Sequence, residues 1–131
     1  MAREVTRAVY RISSRGPFAH DYGLRDQMRR AAVSIMSNIA EGFESRTQAL
    51  FADHRGRAKG SAGELRAQFY VALDAGYITP DEFAALKVQT ESCSRLLSRF
   101  MTYLEDHSNS RHVRESTAAY EYEVESWQVE S

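Results

Sequence analysis

Residues 79–106, TPDEFAALKVQTESCSRLLSRFMTYLED, decide the fold. Thr79 is a natural helix N-cap, Pro80 suits the first helical position, and Glu82, three residues after Thr79, completes a capping box. Leu86, Thr90, Cys93, Leu97, Phe100 and Leu104 then advance in alternating steps of four and three. That spacing is the heptad seam of left-handed bundle packing. The helix is expected to end near Asp106.

Working back from it, Gly76 is a helix C-cap and closes a helix predicted over about Thr47–Ala75. Its apolar stripe is Phe51, Ala58, Ala62, Leu65, Phe69 and Ala72. Gly56, Gly60 and Gly63 each cost about 1 kcal/mol relative to alanine, so these turns are soft unless tight packing offsets the loss. A further helix is predicted over about 22–45, with Leu24, Met28, Ala31, Ile35 and Ile39 on one stripe. Val33, Met36 and Ala40 fall on its other side, which predicts a second partner for this helix. Val5, Val9 and Ile12 mark a short first helix over 2–14, stopped by Gly16-Pro17. The sum is an all-α, antiparallel up-and-down four-helix bundle over residues 1–106. Residues 107–131 form a linker and a C-terminal acidic tail, in which Tyr120, Tyr122 and Val124 alternate with glutamates in a strand-like pattern and Trp127 suggests docking.

Composition bounds function. The net charge of −1 excludes a uniformly basic nucleic-acid binder, but the charge is uneven. Residues 107–131 carry −3, whereas residues 25–66 carry +3. Arg25, Arg29, Arg46, Arg55, Arg57, Lys59 and Arg66 are the candidates for binding RNA phosphates. Arg55, Lys59 and Arg66 share a sector of about 40° on their helix, as do Arg25 and Arg29 on theirs. The single cysteine, Cys93, allows no internal disulfide and suits a reducing, cytoplasmic setting. No run approaches the about 18 apolar residues of a membrane span.

Helices two and three carry two specific runs. The first is Gly23-Leu24, Gln27, Arg29-Arg30-Ala31-Ala32-Val33-Ser34-Ile35 and Ser37-Asn38-Ile39-Ala40-Glu41-Gly42-Phe43. The second is Ala58-Lys59-Gly60-Ser61-Ala62-Gly63-Glu64-Leu65, followed by Gly76-Tyr77-Ile78. Over about residues 5–106 the chain resembles the bacterial four helix bundle protein family. That family includes proteins encoded within intervening sequences of 23S ribosomal RNA genes, and is similar to accessory variability proteins of diversity-generating retroelements. The resemblance implies an antiparallel bundle that assembles into a homo-oligomeric ring, a pentamer. It implies no established catalysis, and RNA or a reverse transcriptase as partner. The sequence departs from the family pattern at Met36, where proline is usual, at a first helix without the usual tryptophan, and at His54, Arg55 and Arg57, which replace apolar residues.

Chemistry is sparse. No phosphate-cradling glycine loop is present, since Gly60 and Gly63 lie within a helical pattern. No Cys or His pair has metal-ligand spacing on a strong motif; His107 and His112 lie in the linker, and His20 and His54 stand alone. Cys93 on the seam reads as a small buried hydrophobe. Glu41 and Glu64 form an acid pair only if their turns pack together. Asn38, Glu41, Gly42, Gly60, Ser61 and Glu64 read instead as a structural or subunit-interface motif, with polar groups hydrogen-bonding across a helix or subunit boundary. The expectation is a non-enzyme without cofactor or metal. It is either an oligomeric module binding RNA or a nucleic-acid enzyme through a basic surface, or a purely structural or protein-interaction module. The acidic tail either masks the basic surface or leaves it open.

Overall fold

The computed structural model of the chain describes residues 1–106; the linker and tail expectations for 107–131 lie outside the described residues. Four helices, α1 (Ala2–Ile12), α2 (Tyr22–Glu44), α3 (Gln48–Asp74) and α4 (Pro80–Asp106), run in order, with a short 3-10 helix over Gly16–His20. No strand occurs among the described residues. α1 packs on α2 and α4, α2 along α3, and α3 along α4, so sequence neighbours are spatial neighbours around a four-helix bundle.

Local chemistry places the ends. Thr79 Oγ1 accepts from the Glu82 amide at 3.1 Å, and the Thr79 amide donates to Glu82 Oε1 at 2.9 Å, completing the expected capping box. Gly76 adopts φ +78°. Its amide donates to the Leu73 carbonyl at 3.0 Å and that of Tyr77 to the Ala72 carbonyl at 2.9 Å, the paired bonds of a Schellman end. Asp21 caps α2 by accepting from the Leu24 amide at 3.2 Å, and Thr47 caps α3 by accepting from the Leu50 amide at 3.1 Å.

The predicted stripes form the core. Val5, Val9 and Ile12 meet Met28, Ala31, Ile35 and Ile39 from α2, Ala58, Ala62, Leu65, Phe69 and Ala72 from α3, and Leu86, Cys93 and Leu97 from α4. Thr90, also buried, turns its hydroxyl back onto the Leu86 carbonyl at 2.8 Å. No helical period announces Phe18, which lies in the 3-10 helix, is buried, and stacks on Tyr77 at 4.8 Å. Tyr77 in turn donates its hydroxyl to Asp21 at 3.0 Å, and Arg15 forks onto both Glu82 carboxylate oxygens at 2.9 and 3.1 Å. The loop after α1 and the loop before α4 are thereby fastened together.

Among the described residues the other end of the bundle is thinner. α1 has 11 residues and α4 has 27, about 16 Å against about 40 Å of helix. There Phe100 stacks on Phe43 at 4.9 Å and meets Phe51 edge-on at 4.8 Å, closing the end with aromatic rings.

Two readings change. The second side of α2 is mostly covered by the chain itself: Met36 packs against the core and Ala40 is half-buried, which leaves Val33 exposed. Gly56 and Gly60 do not serve close packing within the chain, because a Cβ at either would meet nothing within 4 Å. Gly42 does, because its Cβ would lie 3.5 Å from that of His54 and 3.6 Å from the Phe51 ring.

Candidate nucleic-acid interface

α3 presents different polar groups on its two sides. Toward α2, Ser61 Oγ lies 2.8 Å from Ser34 Oγ, and Asn38 Nδ2 donates to the Ser34 carbonyl at 2.9 Å. Asn38 Oδ1 and Glu41 Oε2 both approach His54 Nδ1, at 3.2 and 3.3 Å. The Nδ1 proton serves either acceptor, and the contact with Glu41 becomes an ion pair when His54 is protonated. His54 therefore does not stand alone. This chain of contacts ties the two helices within one subunit. Glu64 belongs elsewhere: it accepts from Gln68 Nε2 at 3.3 Å, ten residues after His54, about 15 Å along the helix. Glu41 and Glu64 are consequently no acid pair.

Toward α4, the seam opens into a groove of about 650 Å³. Lys59 and Arg66 line it from α3; Arg95, Arg99, Ser94 and Ser98 line it from α4, with Glu91 as its acid. Lys59 Nζ donates to Ser98 Oγ at 3.3 Å, and Arg66 Nη1 lies 4.0 Å from Glu91 Oε1, at the limit of ion pairing. Arg95 donates to Ser92 Oγ at 2.9 Å. Among the described residues Lys59, Arg95 and Arg99 have no carboxylate within ion-pairing distance. One turn before Lys59, Arg55 is half-buried and its Nε, which water does not reach, lacks a hydrogen-bond partner there. Four cations, Lys59, Arg66, Arg95 and Arg99, thus line one groove beside serine hydroxyls, an arrangement of charge-assisted donors that suits an anion.

The other predicted cations lie elsewhere. Arg25 donates to the Ala19 carbonyl at 2.9 Å, pairs with Asp26 at 2.9 Å and covers the Tyr22 ring. Arg29 donates to Ser13 and Ser14 at 2.9 and 3.0 Å and covers the Tyr10 ring. Both arginines fasten α2 to the elements before it. Arg57 pairs with Asp53 at 3.2 Å, about 160° around α3 from Lys59. Arg46 is exposed in the turn between α2 and α3 and does not line the groove. Arg95 and Arg99 lie outside the positive stretch of residues 25–66. The available signal was their four-residue spacing beside Ser94 and Ser98, on the edge of the heptad seam.

Burial pushes the Cys93 thiol up to about 11, which suppresses its thiolate. Among the described residues, no three His, Cys, Asp or Glu side chains cluster as a metal site requires, and no helix is long and apolar enough to cross a membrane.

These features define an antiparallel four-helix bundle with a cationic groove between α3 and α4. The chain belongs to the 23S rRNA-intervening sequence protein family, whose profile matches residues 1–99. No curated protein matches it.

Proposed function

We propose that the chain is a non-enzymatic, cytoplasmic, oligomeric bundle that binds RNA along the groove between α3 and α4. The observation that carries this reading is the set of Lys59, Arg66, Arg95 and Arg99 beside two serine hydroxyls, with Glu91 the acid among the lining residues. Such a groove holds the phosphate backbone with steep salt dependence and little base selectivity. A nucleic-acid enzyme, such as a reverse transcriptase, is then a partner that the bound RNA recruits. In the ring that the family resemblance suggests, a pentamer, the groove repeats once per subunit and binding gains avidity. Fluorescence anisotropy with a labelled RNA across a salt series tests the binding, and native mass spectrometry counts the subunits. An affinity that salt does not change overturns the backbone reading; a monomeric mass overturns the ring.

The second reading, a structural or protein-interaction module, draws support from the α2–α3 contacts. Ser34, Asn38, Glu41, His54 and Ser61 bond to one another and leave little there for a ligand. It accounts for that side of α3 and leaves the cations on the other side without a role.

A further inference from the structure

Beyond Arg66 the α3–α4 seam continues to a feature that the pattern of arginines in the sequence did not disclose. Tyr70 follows Arg66 by one turn on the same face of α3, about 6 Å further along, and is 48% exposed. Its ring is held in place rather than loose on the surface. Phe83 of α4 meets it at 4.7 Å with an interplanar angle of 62°, and Lys87 Nζ donates to the Tyr70 hydroxyl at 3.4 Å. The same ammonium stands 5.8 Å from the ring centroid. Pairs cross the seam in register: Lys59 with Ser98, Arg66 with Glu91, Tyr70 with Lys87. The line of cations thus ends at a half-exposed aromatic ring braced by Phe83, with the Lys87 ammonium at its hydroxyl edge.

We infer that Tyr70 is a stacking platform for a nucleobase, so that the RNA held in this groove is single-stranded. The inference rests on the RNA-binding reading and deepens it. A strand whose phosphates follow Lys59, Arg66 and Arg95 carries its next base to Tyr70. That base lies on the half-exposed ring, and Lys87, on a four-carbon stem at the hydroxyl edge, reaches the adjoining phosphate. Every base has a π-face, so stacking adds affinity without demanding a sequence. A duplex keeps its base faces inside the helix and gains nothing from the ring.

The test uses the full chain with Tyr70→Ala and Tyr70→Phe, and three labelled ligands: a single-stranded oligoadenylate, the same strand with abasic positions, and an RNA duplex. Tyr70→Ala is expected to weaken oligoadenylate binding about 5-fold or more. Tyr70→Phe keeps it, and neither variant changes affinity for the abasic strand or the duplex. Oligoadenylate affinity unchanged in Tyr70→Ala, or an equal loss on the abasic strand, overturns the stacking role. Lys59→Glu with Arg95→Glu separates the two ideas. If that pair abolishes binding of all three ligands while Tyr70→Ala changes none, the stacking fails and the groove stands. If the pair changes nothing, or if the unaltered chain binds no RNA, both fail.

Discussion

The two sides of α3 answer the same physical problem differently. On the α2 side polar residues sit between packed helices and satisfy one another: serine with serine, asparagine and glutamate with histidine. On the α4 side the polar residues are long cations, and Lys59, Arg95 and Arg99 have no carboxylate partner among the described residues. A polar group removed from water must find a partner, because an unmade hydrogen bond there costs about 1–3 kcal/mol. A cation left facing water in an open groove keeps its donors for something that arrives. One seam holds the subunit in register, and the other is the surface we propose for an anionic chain.

The sharpest way to break this contrast is to reverse the charge of the open seam. Lys59→Glu with Arg95→Glu is expected to reduce RNA affinity more than 10-fold and to flatten the logarithmic salt slope by about 1.4, at about 0.7 for each lost phosphate contact with a single strand. Unchanged anisotropy titrations would remove the groove from consideration. On the closed seam, His54→Ala strips a hydrogen-bond partner from Asn38 and from Glu41. It should cost about 1–2 kcal/mol in urea denaturation while leaving RNA affinity untouched; a matched loss of affinity would show that the two seams are not independent. Gly60→Ala sharpens the question of what covers the outer face of α3. With nothing within 4 Å of the added Cβ, it should raise stability by up to about 1 kcal/mol through helix propensity. Loss of assembly in native mass spectrometry would instead place a neighbouring subunit against that face.

The smallest effect concerns acid. Arg15, first, and the Thr79 amide, second, hold the Glu82 carboxyl below its usual range. A lowered folded pKa means that the contribution is present above the unfolded value of about 4.3 and is lost as pH falls through the folded value. The pair is partly exposed, so the loss should stay below about 1 kcal/mol. Thermal melts from pH 6 down to pH 3 check it. The stability difference between wild type and Glu82→Gln should shrink as the acid limit is approached; a constant difference would assign the effect of Glu82 to something other than its charge.

Most of the fold was legible because helix period and capping are local signals. The α4 seam, the Thr79–Glu82 box and the Gly76 stop needed no knowledge of neighbours, and the buried residues follow the predicted stripes. What sequence could not supply was pairing across distance. Arg25 and Arg29 have the spacing of a basic patch, yet Ala19, Ser13 and Ser14 occupy their donors. Lys59 and Arg66 were legible from their shared sector, whereas Arg95 and Arg99 join them only because α4 lies antiparallel alongside α3. His54 looked solitary because its partners Asn38 and Glu41 come from another helix. Phe18 was hidden because its burial follows from tertiary stacking on Tyr77, with no period to announce it.

The unequal length of α1 has a consequence for how the bundle breathes. At one end two loops are fastened by the Arg15–Glu82 and Tyr77–Asp21 contacts. At the other, beyond the reach of α1, the described helices are closed by Phe43, Phe51 and Phe100. Among the described residues, local opening should therefore have a direction, starting at the aromatic end where α1 does not reach. The groove runs along this gradient, from Ser98 and Arg99 near the aromatic end to Arg66 near the fastened end. If the proposed strand lies in it, it bridges the aromatic end and the fastened end, so binding would act as a clamp that raises the cooperativity of the described bundle.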